Sequence, residues 1–274
     1  MTVRTVIAGH EVGDGRKLLL VAGPCVMESE AHALAHARKV KALAAKHGLP
    51  AVFKASFDKA NRSSGKSFRG PGLEAGLAAF ETVKRETGLP CTTDVHETWQ
   101  AEPAGKVVDL LQVPAFLCRQ TDLVMACARH GRSVSVKKGQ FLAPREMRHA
   151  VAKCREAGNG NVMLIERGAT FGYGNLVVDM RALVLMRELG VPVCLDATHA
   201  VQLPGGAGDV TGGERQFVAP LARAAAAVGI DALFVEIHED PATARSDGPN
   251  SLDFDMADRL LADVLAIRRA LGQP

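Results

Sequence analysis

The sequence lacks the features that mark secreted, membrane or disulfide-stapled proteins. Its amino-terminal segment has no continuous apolar run of the signal-peptide kind, and no later stretch reaches about 18 uninterrupted apolar residues. No two of its cysteines form a CxxC pair, so a disulfide framework is not expected. We therefore expect a cytoplasmic protein with no membrane partner, whose cysteines are core residues or ligands.

An excess of charge of one sign is also missing. The chain carries 33 basic and 30 acidic side chains, for a net charge of +3, so nothing in its composition favours a nucleic-acid partner. Any basic site must be local. The 274 residues are 47% hydrophobic, which is enough for one large core. Because no linker is visible, we expect a single domain spanning residues 1–274.

What the sequence does contain is a repeated alternation of short apolar runs with longer alanine- and leucine-rich helical patterns. The runs do not alternate strictly in polarity, which is typical of parallel strands buried on both faces. The predicted strands are 18–22, 51–54, 91–95, 110–113, 133–137, 162–166, 193–196 and 232–236. Amphipathic helices are predicted between them, for example at 31–47, 73–87 and 217–228.

Eight such units predict a closed (β/α)8 barrel. The alternative is a doubly wound open sheet, which needs a topological switch point and usually has fewer strands. Residues 2–15 contain Val-Gly-Asp-Gly and predict a small hairpin that closes the bottom of the barrel. The Gly/Pro-rich stretch 203–213 predicts a mobile loop at the active site.

Polar residues cluster at or just after the carboxyl ends of the predicted strands, which is the catalytic face of such a barrel. In chain order these strand ends supply Cys25, Lys54, Ser56, Asp58, Lys59, Asp94, His96, Glu97, Gln112, Lys137, Lys138, Glu166, Arg167, Asp196, His199, Glu236 and His238. Because eight separate strands contribute, these side chains are expected to converge on one rim.

Four of these side chains are cations: Lys54, Lys59, Lys137 and Arg167. Unpaired charges at strand ends are costly unless an anion joins them, so they predict a polyanionic substrate. Arginine suits bidentate contacts with phosphate or carboxylate, whereas lysine acts as a point charge. The alternative is a ring of internal salt bridges with Asp58, Asp94, Glu97 and Glu166.

A second group consists of Cys25, His199, Glu236 and Asp247. A thiolate, an imidazole and two carboxylates form a reasonable ligand set for a divalent transition metal. Their spacings match no metal motif, however. From the residues alone, Cys25 as a core thiol and His199 as a polar core residue remain open.

Five long segments carry a resemblance that covers nearly the whole chain. They are 53–64 (FKASFDKANRSS), 112–122 (QVPAFLCRQTD), 136–141 (VKKGQF), 167–179 (RGATFGYGNLVVD) and 196–199 (DATH). With these segments the sequence resembles the 3-deoxy-D-manno-octulosonate-8-phosphate synthase family. Strings of this length are far more specific than a short glycine motif.

The resemblance implies a (β/α)8 barrel, a homotetramer, and a role in lipopolysaccharide biosynthesis. The implied reaction joins phosphoenolpyruvate, D-arabinose 5-phosphate and water to give the eight-carbon sugar acid phosphate and inorganic phosphate. The positions that match phosphoenolpyruvate contacts are Lys54, Ser56, Lys59, Gln112, Lys137 and Arg167, with Asp94 beside them. Those that match sugar-phosphate contacts are Asn61, Arg62 and Ser63, with Arg119 reaching the site of a neighbouring subunit.

The resemblance also bears on a metal. The family divides into metal-dependent enzymes with cysteine after Ala-Gly-Pro and metal-independent ones with asparagine there, and this chain has Cys25. One divalent ion per subunit (zinc, iron, manganese or cobalt) is therefore expected on Cys25, His199, Glu236 and Asp247. The residues expected to act in catalysis are Lys54, Lys59, Lys137, Arg167, His199 and Asp247.

The chain departs from the family pattern at two places. Gly65-Lys66 replaces an expected Ile-His pair after Asn-Arg-Ser-Ser, which adds flexibility and a positive charge. The segment Asp247-Gly-Pro-Asn250 is more typical of the metal-independent form, so Cys25 carries most of the metal prediction.

Three other functions fit the sequence less well. A sister synthase that uses erythrose 4-phosphate typically has Lys-Pro-Arg-Thr in its sugar loop, whereas this chain has Lys-Ala-Asn-Arg-Ser at 59–63. A sialic-acid-type synthase would need a further carboxyl-terminal domain, for which the 274 residues leave no room. A non-catalytic barrel would be expected to have lost several charged strand-end residues.

Overall fold

A computed structural model describes residues 3–62, 64–207 and 210–274. Its strands are β1 Arg4–Ile7, β2 His10–Gly13, β3 Leu19–Gly23, β4 Ala51–Lys54, β5 Cys91–Asp94, β6 Leu110–Val113, β7 Val134–Lys137, β8 Val162–Glu166, β9 Ala169–Thr170, β10 Leu176–Val177, β11 Val193–Asp196, β12 Gln202–Ala207, β13 Val210–Gly213 and β14 Ala232–Glu236. Its α-helices are α1 Glu30–His47, α2 Leu73–Thr87, α3 Thr98–Val107, α4 Thr121–His130, α5 Arg148–Glu156, α6 Arg181–Arg187, α7 Val218–Val228 and α8 Phe254–Ala270. Short 3₁₀ turns lie at Ala115–Leu117, Pro144–Met147, His199–Val201 and Arg215–Phe217.

Eight of the strands close into a parallel barrel in the order β3, β4, β5, β6, β7, β8, β11, β14 and back to β3. This confirms the predicted (β/α)8 fold and excludes the open sheet. Every residue of these strands is buried, from Leu19 in β3 to Glu236 in β14. Burial on both faces explains why the sequence of each strand is nearly continuously apolar instead of alternating.

The helices between the strands begin and end where local signals place them. Ser29 caps α1 by accepting a hydrogen bond from the His32 amide, and Gly48 ends this helix in the left-handed conformation. Asp253 caps α8 by accepting from the Met256 amide at 2.6 Å. Such ends fix where each connection begins, and the connections carry the candidate site.

The predicted amino-terminal hairpin is present as the antiparallel pair β1–β2. Its residues Ile7, Ala8 and Val12 are buried in one cluster with Leu19 and other side chains of the barrel interior. The Ala8 amide also donates to Ser133 Oγ, just before β7, at 3.0 Å. The hairpin therefore covers the amino-terminal end of the barrel, as predicted.

The stretch predicted as a mobile loop, 203–213, instead contributes to the antiparallel pair β12–β13, with residues 208 and 209 outside the described part of the chain. Its mobility stays a prediction. A second small hairpin, β9–β10, follows β8 and was not predicted. Both hairpins are insertions on the carboxyl-terminal side of the barrel, where β8 and β11 end.

Arg268 in α8 connects the two ends of the described chain. Only 4% of this residue is exposed, and its guanidinium donates to the carbonyl oxygens of Ile230, Arg16 and Pro274 at 2.8, 3.3 and 3.1 Å. The residues before β3 and after α8 are therefore held together at the amino-terminal side of the barrel. Among the described residues, no helix is long and apolar enough to span a bilayer.

Candidate active site

The predicted rim exists, because charged and polar side chains are buried at the carboxyl ends of the barrel strands. Parallel strands present these ends at one mouth of the barrel. The buried polar residues that belong to this rim are Lys54, Ser56, Lys59, Asp94, Gln112, Lys137, Lys138, Glu166, Arg167, Asp196, His199 and Glu236. Their hydrogen bonds divide them into several connected groups.

Lys54 and Glu236 form one buried ion pair across the end of β14, β3 and β4. Lys54 Nζ lies 2.6 Å from Glu236 Oε1 and also donates to the Cys25 carbonyl oxygen at 2.8 Å. Burial acts to raise the pKa of Glu236, but His199 and Lys54 outweigh it and lower this pKa to about 2. Glu236 is therefore ionised, with one oxygen committed to Lys54.

Asp196 joins Lys137 to His199. Its Oδ2 lies 2.6 Å from Lys137 Nζ and 2.7 Å from His199 Nδ1, while its Oδ1 accepts from the His199 amide at 2.9 Å. Burial acts to raise the pKa of Asp196, but His199 and Lys137 hold it well below its usual range. This carboxylate fixes the orientation of the imidazole, because Nδ1 faces Asp196 and Nε2 is left for another partner.

Asp94 contacts three further residues of the rim. Ser56 Oγ donates to its Oδ2 at 2.6 Å and Gln112 Nε2 to its Oδ1 at 2.7 Å, while Lys59 Nζ lies 3.7 Å away. Burial would raise the pKa of Asp94, but the nearby ammonium groups, Lys59 first, hold it well below its usual range. Asp94 therefore positions the side chains predicted to contact phosphoenolpyruvate.

Arg167 differs from the lysines because half of its guanidinium lacks a partner. It is 4% exposed, and its Nη2 donates to Gln202 Oε1. Its Nη1 is buried without a hydrogen-bond acceptor in the part of the chain that the structure describes. Burial lowers the pKa of Arg167 from its ordinary value. A buried donor of this kind is costly unless an acceptor joins it.

The predicted alternative of internal salt bridges therefore applies to the three lysines, with an expected partner for Lys59 and unexpected partners for Lys54 and Lys137. Lys54 pairs with Glu236 and Lys137 with Asp196, whereas Lys59 faces Asp94. Asp58 instead binds Arg69, which lies outside the rim, at 2.5 Å. Lys54 and Lys137 are thus not unpaired, and the prediction was wrong in this respect. The need of an unpaired cation for an anionic partner applies to Arg167.

Cys25, Glu236 and Asp247 place one ligand atom each within 4.8 Å of one another. Cys25 Sγ lies 3.1 Å from Asp247 Oδ2. His199 Nε2 faces the same group, at 3.5 Å from Glu236 Oε1 and 3.8 Å from Asp247 Oδ2. The four residues named as a metal group from sequence are therefore brought together.

Two backbone features put these ligands in place. Gly23 has φ of +152°, and a Cβ there would lie 2.1 Å from the Lys54 carbonyl oxygen, so only glycine allows the close approach that precedes Cys25. Asp247 adopts a left-handed conformation with φ of +52°. This conformation is uncommon for residues other than glycine, and Asp tolerates it better than most.

The donor set fits a divalent cation. Glu236 Oε2 is buried and has no hydrogen-bond partner among the described residues, which leaves a carboxylate oxygen available for an ion. Burial, followed by the charges of Asp247 and Glu236, raises the pKa of the Cys25 thiol well above its usual value. A cation would reverse that effect and favour the thiolate.

The residues predicted to bind the sugar phosphate are only partly at the rim. Arg62 is half-buried and donates to Ser246 Oγ at 2.7 Å, next to Asp247. Asn61 is exposed, and so is the pair Gly65-Lys66, which differs from the family pattern. Ser63 lies outside the described residues.

Arg119 is exposed beyond β6. In the described part of the chain its side chain makes no hydrogen bond or ion pair. The structure of one subunit therefore does not bring Arg119 into the group.

Sequence reasoning missed two rim residues, Gln202 and Ser246. Ser246 directly precedes the predicted ligand Asp247, so its position could have suggested a supporting contact. Gln202 follows a 3₁₀ turn after β11, and nothing in its spacing indicates that it would meet Arg167.

A second group of possible ligands, His32, His36 and His238, also lies within 4.8 Å. His36 Nδ1 faces the His32 carbonyl oxygen at 2.9 Å and its Nε2 accepts from the Glu239 amide at 3.2 Å. His238 Nδ1 accepts from the Asp240 amide at 3.1 Å, so in the neutral ring the proton is on Nε2. Two of the three rings thus have no lone pair to offer a metal.

The sequence of residues 3–268 matches the DAHP synthetase I family, so the chain belongs to this family. Three curated relatives share the name 2-dehydro-3-deoxyphosphooctonate aldolase. The chain is 56% identical to the protein of Syntrophotalea carbinolica over 95% of its own length and 94% of the relative's. It is 56% identical to that of Synechococcus sp., over 96% and 93%, and 52% identical to that of Desulfotalea psychrophila, over 100% of both chains.

Proposed function

We propose that the protein condenses phosphoenolpyruvate with D-arabinose 5-phosphate and water, giving 3-deoxy-D-manno-octulosonate 8-phosphate and inorganic phosphate. The observation that carries this proposal is the shared name of relatives that are 52–56% identical over nearly the full chain. The description of the family alone does not choose between the two sugars, whereas the relatives' name favours the eight-carbon product.

The rim supplies the fixed charges that two anionic substrates need. Lys54, Lys59, Lys137 and Arg167 would bind phosphoenolpyruvate together with Ser56 and Gln112. Arg167 supports this best, because its buried Nη1 has no acceptor among the described residues and a planar guanidinium binds phosphate or carboxylate oxygens bidentately. Side chains held by Asp94 and Asp196 need little reorganisation when substrate arrives, which favours the reaction.

In the proposed reaction, C3 of phosphoenolpyruvate attacks the sugar aldehyde and positive charge develops at C2. Water adds at C2, and phosphate leaves with cleavage of its C–O bond. The role of the lysines and Arg167 is to hold two mutually repelling anions in line. Proton transfer would use His199 or Asp247, whose Nε2 and Oδ2 atoms lie 3.8 Å apart.

Cys25, His199, Glu236 and Asp247 would hold one divalent ion per subunit, of zinc, iron, manganese or cobalt. When bound, such an ion polarises a carbonyl oxygen or lowers the pKa of a water. Two observations support this assignment. Glu236 Oε2 has no hydrogen-bond partner among the described residues, and Asp196 orients the His199 imidazole. Asn61, Arg62 and Ser63 are proposed for the sugar phosphate.

We also propose a homotetramer in the cytoplasm that serves lipopolysaccharide biosynthesis. Five aromatic side chains of the described residues are more than half exposed: Trp99, Phe116, Phe141, Phe171 and Tyr173. Exposed apolar groups that form a contiguous patch are typical of contact surfaces, and Phe171 and Tyr173 are two positions apart in the chain. Phe116 lies three residues from Arg119, which would then enter the site of a neighbouring subunit.

The test is release of inorganic phosphate from phosphoenolpyruvate plus arabinose 5-phosphate, with erythrose 4-phosphate in parallel. We expect arabinose-dependent release that is lost after chelator treatment and restored by a divalent ion. Activity that survives complete metal removal would keep the synthase and contradict the metal site. Activity with erythrose 4-phosphate alone would overturn the proposed substrate.

Two buried thiols provide a matched pair for the metal assignment. Cys25→Ala is expected to lose both bound metal and activity, because it removes a ligand. Cys154→Ala removes an equally buried thiol from α5, away from the rim, and is expected to keep both. Metal content measured by elemental analysis distinguishes ligand loss from misfolding, which circular dichroism detects separately.

A further inference from the structure

The hydroxyl of Ser246 lies between a residue of the predicted sugar loop and a predicted metal ligand. Ser246 is 5% exposed. Arg62 Nη1 donates to its Oγ at 2.7 Å, and Cys25 Sγ lies 3.1 Å from the same oxygen. These contacts join residues that are 184 and 221 positions away in the chain.

The direction of these hydrogen bonds follows from the chemistry of the three groups. A guanidinium only donates, so Arg62 occupies a lone pair of the Ser246 oxygen. The Ser246 hydroxyl proton is then free to point towards sulfur. While it keeps its proton, the Cys25 thiol donates to Ser246 Oγ. A metal-bound thiolate only accepts, so the Ser246 O–H would then be its donor.

Neighbouring contacts hold the same three segments together. Arg62 Nη2 donates to the Arg245 carbonyl oxygen at 3.4 Å, and the Arg245 guanidinium lies 3.9 Å from the centre of the Phe68 ring. The Arg245 amide donates to Glu28 Oε1 at 3.1 Å. The segment that carries Ser246 is thus fixed against both the stretch after Cys25 and the loop of Arg62.

We propose that Ser246 is a positioning residue that couples Arg62 to the Cys25 thiolate, so that the sugar loop supports metal binding through one hydroxyl. This inference rests on the proposed function, because it requires that Cys25 binds a metal. A partner that hydrogen-bonds a metal ligand typically changes metal affinity by about 10–100-fold when it is removed. The Arg62 charge would act on sulfur by polarising the Ser246 O–H.

The test is a titration of the metal-free full-length protein with Co²⁺, followed by the cysteinate-to-cobalt charge-transfer absorption and by competition with a chelator. We expect Ser246→Ala to weaken Co²⁺ binding about tenfold. Arg62→Met should weaken it by a smaller factor, and the double variant should be no weaker than Ser246→Ala. Such non-additivity is the signature of coupled residues.

Thr243→Val is the matched control, because it removes a hydroxyl from the same segment. This hydroxyl donates to the Asp240 carbonyl oxygen, and among the described residues it makes no hydrogen bond to Arg62 or Cys25. Unchanged affinity in Ser246→Ala, or additive losses in the double variant, would overturn the coupling while the metal site stands. A wild-type protein without the charge-transfer band would overturn both the Cys25 site and the coupling. Arg62 is half-buried at the surface, so its variant tests the idea even where Ser246→Ala folds poorly.

Discussion

Asp94 is the carboxylate on which three candidate substrate contacts depend, and its ionisation bears on stability. Its pKa in the folded protein lies well below the ordinary value, because Lys59, Lys54 and Lys137 outweigh the effect of burial. Since the unfolded pKa is about 3.9, the ionised form stabilises the fold fully above that pH. This stabilisation is lost as the pH falls from there towards the folded-state pKa.

We therefore expect Asp94→Asn to lower the free energy of unfolding by about 3 kcal/mol at neutral pH, because it leaves buried cations uncompensated. The difference from wild type should shrink below about pH 4. Urea unfolding between pH 7 and pH 3 measures it. Asp122→Asn, at an exposed position of α4, is the control and should cost less than about 1 kcal/mol. Parallel curves for wild type and Asp94→Asn would contradict the expectation.

Single residues also show which features of the site could be predicted from the sequence. The structure brings the four candidate metal ligands together, because strand ends and the following loops converge whatever their spacing along the chain. The pairing of Lys54 with Glu236 could not be read from the sequence, since it depends on which strands are neighbours after the barrel closes. The individual roles of these residues stay predictions.

Among the elements, the β1–β2 hairpin contributes stability at the end of the barrel opposite the rim. Ile7 is fully buried in the cluster of the barrel interior, whereas Val6 in the same strand is 44% exposed. Ile7→Ala should lower the free energy of unfolding by about 3 kcal/mol, because it leaves a cavity. Val6→Ala should change it by less than about 0.5 kcal/mol.

Denaturant unfolding gives both values, and steady-state kinetics complete the test. Neither variant should change the KM for either substrate, because the hairpin lies at the amino-terminal end of the strands. A large KM change in Ile7→Ala with unchanged stability would show that the hairpin acts on the site instead of on the fold.

Element boundaries were predicted closely for the barrel. The strands 51–54, 110–113, 162–166, 193–196 and 232–236 agree with the structure. The strands 91–95 and 133–137 differ by one residue at one end, and 18–22 is shifted by one residue at both ends. Continuous apolar runs bounded by glycine, proline or charge leave little freedom there. The hairpins β9–β10 and β12–β13 were missed, because short pairs in glycine-rich insertions lack an apolar face.

At the scale of the whole molecule, the proposed tetramer gives Arg119 a place that one subunit does not. Arg119→Ala should weaken arabinose 5-phosphate binding about 10–100-fold, since it removes a hydrogen bond to a charged group. Lys54→Ala should be inactive. At low arabinose 5-phosphate, where either variant alone is nearly inactive, co-expressed subunits carrying one change each should regain activity, because some sites of the hybrid then contain both residues.

Hybrids purified through two different tags provide the measurement, with a mixture of separately purified variants as the control. Light scattering should give a mass four times that of the 29.0 kDa chain. A monomeric protein, or hybrids that stay inactive, would contradict the role proposed for Arg119. The role of Arg119 could not be predicted from the strand pattern or from burial, because both describe a single subunit.

The contacts of Arg268 have a practical consequence for handling the protein. They hold Arg16 and Pro274 together at the amino-terminal side of the barrel, while the rim opens at the other side. In a molecule tethered to a sensor surface through residue 274, the rim of the barrel would therefore face away from the support. Substrates would then reach the site of the tethered subunit from bulk solvent.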